Sequence, residues 1–178
     1  WTSGGSEILI GDNGAGLGNF AGGSLPYDTL RCTSATDLSY FGNNSFELFE
    51  LLSSSTFRIN NGDSLSTDSL IASGSCLSEL NILTIGSGLN GVINKTGFNT
   101  LSLTGLNVSN VDAALPATYN LTFSTVIDAT GWTNNPTEYF WIGNSGDWNE
   151  VSHWSFTSGG AMAGCLPTIT DSVFFDLN

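Results

Sequence analysis

Basic residues are almost missing from this chain. Arg31, Arg58 and Lys95 are its three Lys+Arg among 178 residues, set against 16 Asp+Glu, for a net charge of −13 at pH 7. A phosphate-binding groove needs clustered Lys and Arg, so nucleic acid is excluded as a partner and anionic lipid is disfavoured. Charged residues of both signs make up only 11%. No window repeats Ala, Leu, Glu, Lys and Arg at a 3.6-residue period, which excludes a long helix. No apolar run approaches the roughly 18 residues of a spanning helix, so no membrane insertion is expected. The glycine-rich stretch 11–18 lacks Gly-Lys-Ser/Thr and reads as a turn, not a phosphate cradle. There is no Gly-x-Ser-x-Gly elbow, and the lone histidine, His153, has no partner evident from sequence, so a Ser-His-Asp site is not expected. The chain opens on Trp1 with neither an initiator Met nor a signal peptide, as expected of a processed product or a piece of something longer.

What remains is apolar residues, hydroxyls, amides and glycine. Hydrophobic residues reach 40% and glycines number 22, enough for a core, with a surface built from Ser, Thr, Asn and Gly. Apolar runs of about four to eight residues alternate with polar turns, the length of strands. They are 7–10, 29–32, 38–41, 46–52, 56–59, 65–72, 80–85, 91–93, 101–108 and 119–127. Similar phrases return roughly every 20 to 25 residues, as in a solenoid. Segments 49–52, 68–72 and 102–106 are expected to stack as one face, and 57–59, 82–85 and 92–93 as another. The expected fold is all-β: a right-handed parallel β-helix-like body over 1–136, with a Trp/Gly-rich junction, cap or start of a next repeat over 137–178. A β-sandwich of short strands is the alternative.

The segment 141–154, WIGNSGDWNEVSHW, is the most distinctive. With Trp132 it supplies four indoles, Trp132, Trp141, Trp148 and Trp154, suited to packing a seam between units; sugar stacking is the competing use. Three cysteines, Cys32, Cys76 and Cys165, are an odd number in no zinc-binding pattern, so no metal centre is expected. In an oxidising compartment they imply one disulfide and one cysteine left over. Three pairings are open, and Cys32 with Cys76, about two coils apart, is favoured. The carboxylate pairs Glu47/Glu50, Asp63/Asp68 and Asp147/Glu150 could in principle serve a glycosidase, the third reading after structure and glycan binding. No cofactor is expected, although plentiful oxygen ligands leave weak Ca²⁺ binding open. Asn43, Asn94, Asn107 and Asn120 each begin an Asn-x-Ser/Thr sequon.

Two phrases carry a resemblance. One runs "FELLSSSTFRINNGDSLSTDSLIASGSC" to Cys76 and continues through 82–97, 101–113 and "STVIDATGWTNNP" at 124–136. The other is "YFWIGNSGDWNEVSHWSFTSGGAMAGCLPTITDSVFFD" at 139–176. In this order they resemble repeats of the large type IX-secreted surface proteins of Bacteroidetes, including gliding-motility adhesin-like proteins. The resemblance covers about four-fifths of the chain. It implies a parallel β-helix-like body, a secreted repeat array and attachment or filament formation at the cell surface, with no catalytic residues. It also implies O-glycosylation at Asp-Ser/Thr-aliphatic phrases, which Thr29, Ser64, Ser69 and Ser172 fit. Trp1–Gly5 echoes Trp154–Gly160. The expectation is therefore a non-enzymatic, extracellular structural or adhesive repeat that joins copies of itself or adjacent repeats head-to-tail. Surface polysaccharide is a further expected partner.

Overall fold

The computed structural model describes residues 6–11, 18–33, 36–52 and 54–176. The turn read at 11–18 and the echo at 1–5 thus fall largely or wholly outside the described residues. The chain divides into two compact units, Trp1–Thr133 and Asn134–Asn178. The first unit holds β1 (Glu7–Ile10), β2 (Gly18–Ala21), β3 (Pro26–Cys32), β4 (Asp37–Phe41), β5 (Asn44–Leu51), β6 (Thr56–Asn60), β7 (Ser64–Ala72) and β8 (Leu80–Ile85). It continues with β9 (Gly91–Lys95), β10 (Thr100–Thr104), β11 (Leu106–Ser109), β12 (Val111–Ala114), β13 (Thr118–Thr122) and β14 (Thr125–Ile127), and β15 (Trp132–Asn134) ends it. The chain is all-β.

Successive strands leave one sheet for another. The first sheet is ordered β1-β3-β5-β7-β9-β12, the second β14-β11-β8-β6-β4-β2, and a third β10-β13-β15. Pairing in the two large sheets is parallel throughout. Each step of pairing advances the chain by 18 residues (Asn107 onto Thr125) to 28 residues (Ser64 onto Val92). Parallel neighbours cannot be joined by a tight hairpin, so the intervening chain must cross to another sheet and return.

Because side chains alternate along a strand, parallel register turns sequence into columns. Ile8, Leu30, Phe49 and Leu70 stack in the first sheet, beside Ile10, Cys32, Leu51 and Ala72. Leu38, Phe57, Ile82, Val108 and Val126 stack in the second. The rings of Phe49 and Phe57 meet between the sheets at 4.7 Å. Outward columns are polar: Asn107 Nδ2 donates to Asn81 Oδ1 at 3.1 Å, and Arg58 makes two bonds to Asp37 at 2.9 and 3.0 Å. Arg31 links Glu7 and Glu50 across three strands. Two of the three basic residues are therefore spent on holding outward ladders. The third, Lys95, is buried and donates to the Thr96 carbonyl at 2.8 Å.

Three expectations need correcting. Residues 92–93 lie in β9 of the first sheet, not with 57–59 and 82–85, because the turn through Gly86 and Gly88, at φ 96° and 115°, precedes a change of sheet. Segment 102–106 does not join 49–52 and 68–72: β10 belongs to the third sheet. The runs 101–108 and 119–127 are each two strands, broken where Gly105 and Phe123 turn left-handed at φ 65° and 50°. Gly105 is tied into neighbouring rungs, its N–H to the Thr122 carbonyl at 3.0 Å and its oxygen to the Leu80 N–H at 2.9 Å. A Cβ there would lie 2.4 Å from the Gly74 carbonyl carbon and the Ser75 nitrogen. Backbone cannot yield as a side chain would. Gly105→Ala is expected to lower the unfolding free energy by about 3 kcal/mol, read from urea denaturation.

The second unit contains β16 (Glu138–Trp141), a 3-10 turn at Val151–His153, β17 (Trp154–Ser155) and β18 (Ser172–Phe174). Here β16 is central, antiparallel to β17 and parallel to β18. Asp171 fixes the entry to β18: its carboxylate accepts the Thr137 N–H at 2.8 Å and the Thr168 N–H at 2.7 Å.

Candidate functional site: the tryptophan cluster and the cysteines

Three of the four singled-out indoles come together in the second unit. Trp154 is fully buried, and its ring is met edge-on by Tyr139 at 6.2 Å, Trp141 at 5.1 Å and Trp148 at 4.7 Å. Its Nε1 donates to the Trp148 carbonyl at 2.9 Å, which satisfies the one polar atom that burial would strand. Trp141 donates its Nε1 to the Asn144 carbonyl at 2.8 Å and lays one face on His153 at 4.6 Å, with ring planes 3° apart. Trp148 is 46% exposed. A sugar platform needs open indole faces; here Trp154 offers none and Trp141 has one covered. Trp154 is the buried centre of the cluster.

Trp132 belongs to the first unit. It packs edge-on against the buried Tyr119 at 5.1 Å and donates to the Val111 carbonyl at 2.7 Å. Tyr119 sits inside the body and keeps its hydroxyl satisfied, accepting the Lys95 N–H at 2.7 Å. Tyr40 does the same lower in the stack, accepting the Asn44 N–H at 3.0 Å and donating to the Ser64 carbonyl at 3.1 Å. Burial raises both phenols above their ordinary value of 10.0. Tyr139 is pushed up to about 12, by burial first and by the Asp171 charge second.

The cysteines pair differently from the favoured expectation. Cys76 and Cys165 are disulfide-bonded, and Cys32 is the buried free thiol. Cys32 stacks in an inward column between Ile10 and Leu51, where it serves as a small apolar side chain. Sequence spacing could not show this, because alternation turns Cys32 into the core. Burial pushes its thiol from 9.0 up to about 12. A raised thiol or phenol keeps its proton in the fold, so its contribution is complete below the unfolded value and is lost as pH rises through the folded one. Stability is expected to hold to about pH 9 and then to fall towards about pH 12. Cys32 alone accounts for a loss on the order of 4 kcal/mol. Urea midpoints measured against pH check this, with Cys32→Ala delaying the onset to the tyrosine range. Maleimide is likewise expected to leave native Cys32 unlabelled at pH 8.

The carboxylate pairs are spread over structural work. Glu50 holds Arg31, and Asp63 accepts the Gly42 N–H at 2.7 Å and Asn60 Nδ2 at 2.9 Å. Asp68 accepts from Thr96. Asp147 accepts the Asn149 N–H at 2.9 Å, and Glu150 lies 3.1 Å from His153. Glu47 is exposed on β5. Among the described residues no three His, Cys, Asp or Glu side chains gather as a metal-binding group. Thr29 and Ser64 are half-buried, while Ser69 and Ser172 are exposed on strands; Ser64 bonds to Asn43 through its hydroxyl at 3.0 Å. Of the sequons, Asn43 is exposed and Asn94, Asn107 and Asn120 are half-buried. Among the described residues no helix is long and apolar enough to cross a membrane.

Sequence reasoning missed what surrounds His153. Its carboxylate neighbour stands three residues before it, and its aromatic neighbour, Trp141, is on β16. The i, i+3 spacing of Glu150 and His153 was the one signal available. Comparison with known proteins finds no matching family model, no matching curated protein and no matching solved structure.

Proposed function

We propose that this chain is a non-enzymatic structural or adhesive repeat of a secreted bacterial surface protein, of the type IX-secreted, adhesin-like kind its two phrases resemble. In this reading the first unit is a right-handed parallel β-helix-like solenoid. Parallel pairing, alternation of successive strands between sheets and inward columns of apolar residues support that; a sandwich built of hairpins requires antiparallel neighbours. The ends of the stack carry the functional reading. Among the described residues β1 and β2 are paired on one side only, as are β14 and β15. At those ends Ile8, Ile10, Phe20, Val126, Ala129 and Trp132 are only partly buried against the core.

An open parallel edge is a template for another strand. Copies or adjacent repeats meeting end to end form a heterologous contact that does not close, and such contacts build fibres. A disulfide is stable outside the cytoplasm, in keeping with an extracellular location. The test uses the edge of β1. The Ser6 and Ile10 carbonyls accept from Thr29 and Thr33 of the neighbouring rung, which turns the Leu9 N–H to the outer side. Leu9 is 57% exposed. Leu9→Pro removes that edge donor and spares the pairing with β3. In sedimentation velocity the parent chain is expected to form larger species as concentration rises, and the variant to stay monomeric. A parent chain that is monomeric throughout, or a variant that assembles unchanged, overturns the proposal.

A further inference from the structure

Asparagine followed by glycine is the pair whose side-chain amide is most readily lost, because glycine has no Cβ to keep its own nitrogen away from the neighbouring side-chain carbon. The chain has three such pairs, Asn13-Gly14, Asn61-Gly62 and Asn90-Gly91. The first lies outside the described residues, and the fold treats the other two differently.

Asn61 and Gly62 are the central residues of a turn closed by the Asp63 N–H, which donates to the Asn60 carbonyl at 3.0 Å. Gly62 is exposed, at φ 76°. Among the described residues its N–H donates to no protein group. The Asn61 amide clamps the loop 86–89 from the surface: Nδ2 donates to the Ser87 carbonyl at 2.6 Å, and Oδ1 accepts the Leu89 N–H at 2.9 Å. Both bonds are exposed, so water can replace them and little structure has to open before the side chain meets the Gly62 nitrogen. Gly91, by contrast, is buried in β9, and its N–H is bonded to the Asn110 carbonyl at 3.1 Å and to Thr84 Oγ1 at 2.9 Å. Asn90 donates to Asp112 and to the Asp128 carbonyl, each at 3.0 Å. Freeing the Gly91 nitrogen means opening the rung that pairs β9 with β12.

We propose that Asn61 is a site of self-modification with water as the co-reactant, and that the fold shields Asn90 from the same reaction. The Gly62 nitrogen gives its proton to solvent base and bonds to Asn61 Cγ. The Cγ–Nδ2 bond breaks, and Nδ2 leaves as ammonia with a proton taken from water. Water then adds to either carbonyl of the succinimide and breaks its bond to the ring nitrogen, giving aspartate or isoaspartate. No electrons are exchanged. The chain's one lysine, Lys95, is buried, so water meets no competition from a lysine amine of the chain. Either product replaces the donor facing the Ser87 carbonyl with a negatively charged oxygen, and isoaspartate adds a methylene to the backbone of the turn. The clamp on the loop 86–89 is loosened, and the change is irreversible. This goes beyond assembly and does not depend on it.

The test ages the whole chain in mildly alkaline buffer, native and unfolded in urea, and follows it by mass spectrometry. Trypsin cuts after Arg58 and Lys95, so one peptide, 59–95, carries both asparagines. Electron-transfer fragmentation of that peptide locates the mass gained and separates isoaspartate from aspartate. In the native chain Asn61 is expected to convert at least about tenfold faster than Asn90; in urea the two rates are expected to converge. The Leu89 amide is expected to exchange with solvent about tenfold faster in the aged parent than in the fresh one. Ageing is expected to leave it unchanged in Asn61→Gln, whose longer side chain closes that ring poorly. Equal native rates at Asn61 and Asn90 overturn the proposal. So does an Asn61 that stays intact in the native chain while the unfolded sample converts, or an equal loosening of Leu89 when Asn61→Gln is aged.

Discussion

Phe49→Ala is expected to lower the unfolding free energy of the first unit by about 3–5 kcal/mol. Phe49 has no exposed surface, pairs with Leu30 on one side and Leu70 on the other, and reaches Phe57 across the core at 4.7 Å. Removing the ring takes one disc from a column held in register by backbone hydrogen bonds above and below. Those strands cannot close on the gap without breaking their own ladders, so the cavity persists and its cost is added to the lost transfer energy. Leu48 is the control. It neighbours Phe49 on the same strand but is only half-buried, and Leu48→Ala is expected to cost about 1 kcal/mol or less. Urea denaturation followed by circular dichroism separates the two. Equal losses would mean that alternation along β5 does not set the core.

The second large effect belongs to Trp154. Four rings surround it: Tyr139, Trp141, Trp148 and Phe175, the last at 6.2 Å. The second unit, Asn134–Asn178, has few other fully buried side chains. Small units have little stability in reserve, so a loss of about 3–5 kcal/mol is expected to abolish its packing. Trp154→Ala should then remove most of the near-ultraviolet dichroism of the aromatic cluster. Trp148→Ala, which deletes the indole that is 46% exposed, should preserve most of it. If both variants behave alike, Trp154 is not the keystone of the unit.

Much of this architecture was legible because the first unit obeys simple period-two rules. The runs 7–10 and 80–85 are β1 and β8 without adjustment, since each is bounded by polar or glycine-rich sequence. Merging β10 with β11, and β13 with β14, came from reading unbroken Leu, Val and Ile patterns through a bend. Gly105 could have warned of the first; Phe123 could not have warned of the second, because an aromatic residue at φ 50° is not a turn signal. β2, with its sequence Gly-Asn-Phe-Ala, has too few apolar residues to announce a strand and exists through its register with β4. The cysteine pairing was illegible for a related reason. Spacing counts residues along the chain, whereas the direction in which each cysteine points depends on strand phase. In the tryptophan segment the residue types were informative, but which indole is buried was set by strand pairing: Trp141 lies opposite Trp154 across β16 and β17.

The measurement that bears most directly on the proposed role is negative-stain electron microscopy of the protein isolated from its source under non-reducing conditions. The proposed end-to-end stacking predicts long fibres with a regular axial repeat, lost in Leu9→Pro. Dispersed single particles at all concentrations would contradict self-assembly.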